Sequence, residues 1–194
     1  MEREHEAGLL ARAASGDAEA FRKLFDGHHA AMFRFAYRLT GAVDAAEDIT
    51  QECFLRLVQQ RAFDPERGSL RQYLYGMVRN LVRQRLQSNG REVHWDDNVE
   101  DDPKSAVLAC PDVMASAELT AIVQMAISAL PPLQREAIVL SEFEELSLDE
   151  VATIVGADLG TVKSRLHRAR EGLRRTLSAY RNHVRMPLPK GTTP

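Results

Sequence analysis

Cysteine is nearly absent from this sequence. Cys53 and Cys110 stand far apart, with no CxxC pair. His28, His29 and His94 do not build the spacing of a metal site, so neither a zinc centre nor a disulfide framework is expected. Idle thiols in a reducing cytoplasm are the expected setting. Long apolar runs are absent too: none approaches the ~20 residues that a membrane-spanning helix needs. The opening MEREHEAGLL is polar and acidic, unlike a secretory signal. No Ser/His/Asp set and no glycine-rich phosphate loop of convincing spacing appears, which argues against an enzyme and implies no cofactor. Aromatics are sparse, at 6%, with a single tryptophan. Prolines and glycines fall mostly between periodic segments, which predicts an all-α chain of one or two small domains.

The most patterned stretch is Leu146–Leu177, LSLDEVATIVGADLGTVKSRLHRAREGLRRTL. Ser147-x-x-Glu150 has the spacing of a capping box, so a helix starts near Leu148. Leu148, Val151, Ala152 and Val155 follow at helical intervals, and Gly156 stands where a left-handed residue ends a helix. Asp158 or Thr161 then caps a second helix, whose buried stripe is Val162, Leu166, Ala169, Leu173 and Leu177. A small residue at the crossing (Ala152), a glycine in the turn and an apolar anchor (Val162) are what a helix-turn-helix requires.

Charge sharpens this reading. Thr161–Arg185 holds eight basic residues (Lys163, Arg165, Arg168, Arg170, Arg174, Arg175, Arg181 and Arg185) and one acid, Glu171. Pro131–Gly160 holds seven acids and one arginine. The net charge of −3 conceals this split, which suits a protein that turns one face toward phosphates.

Upstream, residues 6–15 read as a short helix. Asp17 caps another through Phe21, Leu24 and Phe25, and a separate segment carries Met32, Phe33, Ala36, Tyr37 and Leu39 up to Gly41. The pair His28-His29 reads as helix surface. Asp44-x-x-Glu47 opens a helix with Ile49, Cys53, Phe54, Leu57 and Val58 as its stripe. Phe63–Gly68 reads as a loop, and a further helix runs from Ser69 to about Gln87. Between Arg67 and Arg91 stand six arginines and no acid, with Tyr73, Tyr75 and Asn80 among them. Arginines beside aromatics suit unpaired DNA, since a ring can stack on a base for about 1–3 kcal/mol. Residues 91–118 carry eight acids against two basic residues, the composition of a flexible linker.

Taken in order, these segments resemble the extracytoplasmic-function (ECF) sigma factors of bacterial RNA polymerase over roughly residues 7–180. DAEAFRKL (17–24) resembles the start of the sigma-2 domain, and DAAEDITQECFLRL (44–57) the polymerase-binding helix. FDPERGSLRQYLYGMVRNLVRQRL resembles the promoter-melting segment. LPPLQREAIVLSEFEELSLDEVATIVGADLGTVKSRLHRAREGLRRTL resembles the sigma-4 consensus throughout. The resemblance implies a sigma-2 helical bundle at 7–90, an acidic linker at 91–118, a sigma-4 helix-turn-helix domain at 119–184 and a disordered tail at 185–194.

The resemblance also assigns roles. Asp48, Gln51 and Glu52 would dock on core RNA polymerase, and the two carboxylates, four apart, share a helix face. Ser69, Tyr73, Arg79, Asn80 and Arg83 would meet the −10 element of promoter DNA. Bases unstacked there at a cost of a few kcal/mol would be held in a pocket. Tyr73 stands where the family usually has tryptophan. In the −35 major groove, Lys163, Ser164, His167, Arg168 and Arg170 lie on the exposed face. Thr161 and Arg174 are placed for phosphates, and Arg165 can point either way. The acidic linker would imitate RNA in the polymerase's exit path, with Trp95 as an anchor. The resemblance further implies an anti-sigma partner, no membrane insertion, a cytoplasmic location and no catalysis by the chain itself. A helix-turn-helix activator is the rival reading, and the 44–57 helix argues against it.

Overall fold

Asp17 opens the longest helix of the N-terminal half. Its carboxylate accepts the backbone N–H groups of Glu19 and Ala20, both at 3.0 Å, two donors that a helix start leaves unsatisfied. The computed structural model describes residues 2–60, 62–88 and 115–184, and every regular element among them is helical. The N-terminal half holds α1 (Glu2–Ala13), α2 (Ala18–Thr40), α3 (Val43–Gln60) and α4 (Leu70–Ser88). The C-terminal half holds α5 (Ala115–Ser128), α6 (Pro132–Ile138), a π-helical turn (Val139–Phe143), α7 (Leu148–Val155) and α8 (Leu159–Val184).

Two boundaries differ from the sequence reading. Residues 18–40 form one helix, where two segments were expected. The cause is an aromatic ladder at four-residue intervals, which carries the packing across Gly27. Phe25 stacks on His29 with ring centres 4.4 Å apart, and Phe33 and Tyr37 continue the row. His29 is therefore half-buried among rings, and half-buried His28 meets Glu6 of α1 at 3.1 Å; neither is plain helix surface. α3 begins at Val43, so Asp44 lies in its first turn and does not cap it. α2 ends at Gly41, whose φ of 72° is left-handed and whose N–H donates to the Tyr37 carbonyl at 2.7 Å.

Leu24, Met32 and Phe35 of α2 pack with Phe54 and Leu57 of α3 and with Leu70, Leu74 and Val78 of α4. This buried cluster continues without a break into Ile127, Ile138, Leu140, Val151, Val162 and Leu166 of the C-terminal half. Polar ties reinforce the junction. Arg135 of α6 donates to the Leu39 carbonyl at the end of α2 at 2.8 Å and to the Leu130 carbonyl at 2.9 Å. A guanidinium at a helix C-terminus meets unsatisfied carbonyls and the negative end of the helix dipole. The expected linker lies outside the described residues as far as 114, with Trp95 and Cys110 in it, and so does the tail 185–194.

The π turn follows α6 without interruption. Glu144 N–H reaches back five residues to the Val139 carbonyl at 3.1 Å, and Glu145 then takes a left-handed φ of 56°. This widened turn sets the α6–α7 corner and turns Glu144 inward, where it is 3% exposed.

α7 starts on a complete capping box. Ser147 Oγ accepts Glu150 N–H at 3.3 Å, while the Glu150 carboxylate accepts Ser147 N–H at 2.9 Å and its hydroxyl at 2.8 Å. These donors hold the Glu150 carboxyl below the usual glutamate range. A depressed carboxyl contributes stability above its unfolded-state pKa and loses it as pH falls through the folded value. Replacing Ser147 by Ala should lower stability by about 1 kcal/mol at neutral pH. Urea denaturation should show this deficit shrinking as pH is lowered below the carboxylate range.

Candidate nucleic-acid interface

The turn between α7 and α8 is built on Gly156, whose φ of 66° is left-handed and whose N–H closes on the Ala152 carbonyl. Asp158 caps α8: its carboxylate accepts the Thr161 N–H at 3.0 Å and hydroxyl at 2.7 Å, and these bonds hold its pKa below the ordinary aspartate value. Of the two capping candidates Asp158 is the cap, and Thr161 is its partner. Val162, Leu166 and Ala169 are buried and lock α8 onto α6 and α7. Lys163, Ser164, His167 and Arg168 are all exposed on the opposite face. Arg170 is exposed and paired with Glu142, and Arg174 is exposed and paired with Glu171. Arg165 turns inward: only 8% of it is exposed.

A second surface forms around the start of α4. A cavity of about 460 Å³ is lined by Arg56, Phe63, Arg67, Ser69, Tyr73, Met77 and Asn80, with Thr153 and Ile154 of α7 completing it. Ser69 is the cap of α4. Its hydroxyl accepts Gln72 N–H at 3.2 Å, and Gln72 Oε1 accepts Ser69 N–H at 3.0 Å, which completes a capping box. Tyr73 is half-buried against Phe63, with ring centres 5.6 Å apart, and Asn80 is exposed. Beneath Tyr73, on α3, lies Cys53. It is fully buried, and burial pushes its thiol up to about 12.

The remaining −10 candidates meet the C-terminal half. Arg79 is 8% exposed and donates to Glu136 Oε2 at 2.7 Å. Burial pushes the Glu136 carboxyl up, against the opposing pull of Arg79, Arg83 and Arg165. Arg83 is half-buried, and burial together with Arg79 lowers its own pKa. Tyr75, which is buried, donates to Glu144 Oε2 at 2.8 Å and packs edge-on against Phe35; burial first, then this bond, pushes its hydroxyl up to about 12. Arg71 donates to the Glu144 carbonyl at 2.6 Å, and Gln72 to Glu150 Oε1 at 3.1 Å. Sequence reasoning gave no site role to Glu136, Glu144 and Gln72, and read Glu150 only as the capping partner of Ser147. For Glu144 the available signal was the acid run EFEE set between apolar Leu140 and Leu146, and for Gln72 it was the spacing Ser69-x-x-Gln72.

Asp48, Gln51 and Glu52 do share the outer face of α3, the aspartate and glutamine exposed and the glutamate half-exposed. Asp48 meets Arg85 of α4 at 3.1 Å and Glu52 meets Arg56 at 2.7 Å. Such surface pairs are worth ~0–1 kcal/mol and exchange readily for another partner. No group of three or more metal-ligating side chains occurs among the described residues, and none of their helices is long and apolar enough to cross a membrane.

The chain thus carries a helix-turn-helix in its C-terminal half and an arginine-flanked cavity where α4 meets α7. Its relatives define the class. The family model for sigma-70 region 2 matches residues 24–92, and that for sigma-70 region 4 matches residues 120–173. The chain is 35% identical over 171 residues to the ECF RNA polymerase sigma factor SigW of Bacillus subtilis, covering 84% of this chain and 91% of that protein. It is 33% identical over 175 residues to the ECF RNA polymerase sigma-E factor of Escherichia coli, covering 85% and 90% respectively. Among solved structures, the sigma factor RpoE of Bartonella quintana, crystallised with the anti-sigma factor NepR, matches with a TM-score of 0.66 and 30% identity over 83% of this chain and 98% of that one. The chain belongs to the ECF sigma factors of RNA polymerase, the proteins that direct promoter-specific initiation of transcription.

The setting of Cys53 has a direct chemical test. The thiolate is the reactive form, and a thiol raised to about 12 and buried holds almost none of it at neutral pH. Iodoacetamide at pH 8 should leave Cys53 unmodified in the folded chain and alkylate it fully in denaturant, as read by peptide mass mapping. Rapid labelling of the native protein would contradict this burial.

Proposed function

We propose that this sigma factor docks on core RNA polymerase through α3, reads the −35 element with α8, and holds unpaired −10 DNA at the start of α4. Residues 7–90 serve as its polymerase-binding and −10 unit, and residues 119–184 as its −35 unit. The observation that carries this reading is the exposed face of Lys163, Ser164, His167 and Arg168, set on a helix whose opposite face is anchored by Val162, Leu166 and Ala169. A helix so held can lie in a major groove with its N-terminal side chains toward base edges. Arg168 can bond guanine bidentately, and Thr161, Arg170 and Arg174 lie within reach of phosphates. Arg165, being buried, is a packing residue in this conformation. At the other site, Tyr73 and Asn80 face the cavity that would receive an unstacked base, and Ser69 fixes its rim.

On this reading the chain performs no catalysis and works in the cytoplasm, where polymerase and promoter are. The anti-sigma factor in the Bartonella quintana complex supports a partner of the same kind for this chain.

Transcription reconstituted with core RNA polymerase, followed by mapping of start sites, tests the reading as a whole. Replacing Lys163 and Arg168 by Ala should cost about 1–3 kcal/mol at each base contact, shift −35 preference and leave polymerase binding intact. Reversing charge at Asp48 and Glu52 should do the opposite, weakening polymerase capture while the isolated chain keeps its affinity for duplex DNA. Initiation that is indifferent to all four substitutions would contradict the assignment.

A further inference from the structure

Gly76 stands in the interior of α4, where glycine weakens a helix relative to alanine. A glycine in such a place is usually explained by a left-handed backbone or by a neighbour that leaves no room for a side chain. Neither explanation applies here. The left-handed glycines among the described residues are Gly16, Gly41 and Gly156. A Cβ added at Gly172 of α8 would meet the Leu130 side chain at 2.8 Å, whereas one added at Gly76 would meet nothing within 4 Å. Gly8 and Gly27 are also uncrowded, but they lie on the exposed surface. Gly76 is half-buried and lines the cavity at the start of α4.

The neighbours of Gly76 give this space a chemical character. Tyr73 precedes it by three residues and Asn80 follows it by four, so all three share one face of α4. About 10 Å of helix separates Tyr73 from Asn80. Tyr73 offers a ring on which a base can stack, and contact with Phe63, at 5.6 Å between ring centres, holds that ring in place. Asn80 offers an amide, both donor and acceptor, to the edge of a base. Between them the backbone at Gly76 is bare, which permits the close approach of a flat ligand. These groups all lie between residues 63 and 80, so α4 and the loop before it supply every one of them. A pyrimidine is a single ring, and a purine extends a second ring further from its sugar. The space over Gly76 is where that second ring would go.

We propose that Gly76 sets the size limit of the −10 base site and makes it deep enough for an unpaired purine. The inference rests on the assignment of the −10 element to the start of α4 made above. A side chain at 76 projects into the cavity, and one methylene too many in a fitted apolar pocket shifts discrimination by about 10–200-fold. Gly76 thus gives up helix stability for room at the site, the kind of exchange that binding sites make. Gly76→Ala separates the two effects, because it strengthens the helix and fills the site at once.

Holoenzyme assembled with core RNA polymerase would be tested on forked promoter DNA from the mapped start sites, with one strand of the −10 element unpaired. Replacing each unpaired nucleotide in turn by an abasic one identifies the captured position as that where the parent chain loses most affinity. Purine, pyrimidine and abasic nucleotides would then be compared at that position, with the parent and with Gly76→Ala. The variant should bind the purine fork about tenfold more weakly than the parent does, the pyrimidine fork about threefold or less, and the abasic fork equally well. Its urea midpoint should be higher than the parent's, since alanine favours the helix. Gly76→Leu should lose the purine fork further while still binding polymerase. Equal losses on all three forks, a larger loss for the pyrimidine than for the purine, or no loss on any, would overturn the proposal and leave the sigma-factor reading intact. A lowered urea midpoint would also overturn it, because the fold itself would then require glycine at 76. Should no abasic substitution weaken binding by the parent, the −10 assignment falls and this proposal falls with it.

Discussion

The ion pair between Arg79 and Glu136 decides how the two halves of this sigma factor meet. A carboxylate that is 2% exposed is not tolerated without a partner, and its partner comes from a helix in the other half. Pairs of this kind add little net stability, because desolvation consumes most of the attraction. Their effect is on geometry: few arrangements of the halves leave neither charge stranded. α4, α6 and α8 converge on this point, and the packing of Ile138, Val162 and Leu166 around it follows the same alignment.

Charge elsewhere in the molecule is organised by depth. The outer pairs, Asp48 with Arg85, Glu52 with Arg56 and Arg170 with Glu142, lie in or near solvent. Each can be traded for a contact to another macromolecule with little loss. The inner groups, Glu136 and Glu144, cannot be exchanged singly, since removing one partner strands the other away from water. The chain therefore presents adaptable charge on α3 and α8 and committed charge at the junction. A net charge of −3 gives no hint of that division.

Much of the architecture was legible because helix ends carry their own chemistry. The capping box at Ser147 and the glycines at 41 and 156 announce boundaries without reference to anything distant. The stripe Val162–Leu166–Ala169 likewise names its own buried face. Reading failed where a local signal was outweighed by packing. The stretches through Phe25 and from Met32 read as two separate segments, with His28-His29 as helix surface, yet the ring of His29 bridges Phe25 and Phe33 and keeps α2 whole. Other features had no local signal. The π turn is a matter of one residue's worth of register, and the run EFEE looks like surface until Glu144 is seen to face Arg38, Arg71 and Tyr75. Arg79 read as a contact to DNA, and Arg165 was left open to either face, because periodicity locates a residue on its own helix and says nothing about which neighbour covers that face. The exposure of Lys163, Ser164, His167 and Arg168 on α8, and of Asp48 and Gln51 on α3, was legible because it follows from each helix's own apolar stripe.

The two capping boxes share a boundary. Ser69 with Gln72 starts α4, Ser147 with Glu150 starts α7, and the Gln72 amide rests on the Glu150 carboxylate. Each glutamine or glutamate thus serves its own helix with one atom and the opposite half with another. Severing the bridge between them takes nothing from either cap. The two helix starts are clasps fastened on their own side, so a substitution that removes only the bridge between them would leave both helix ends held.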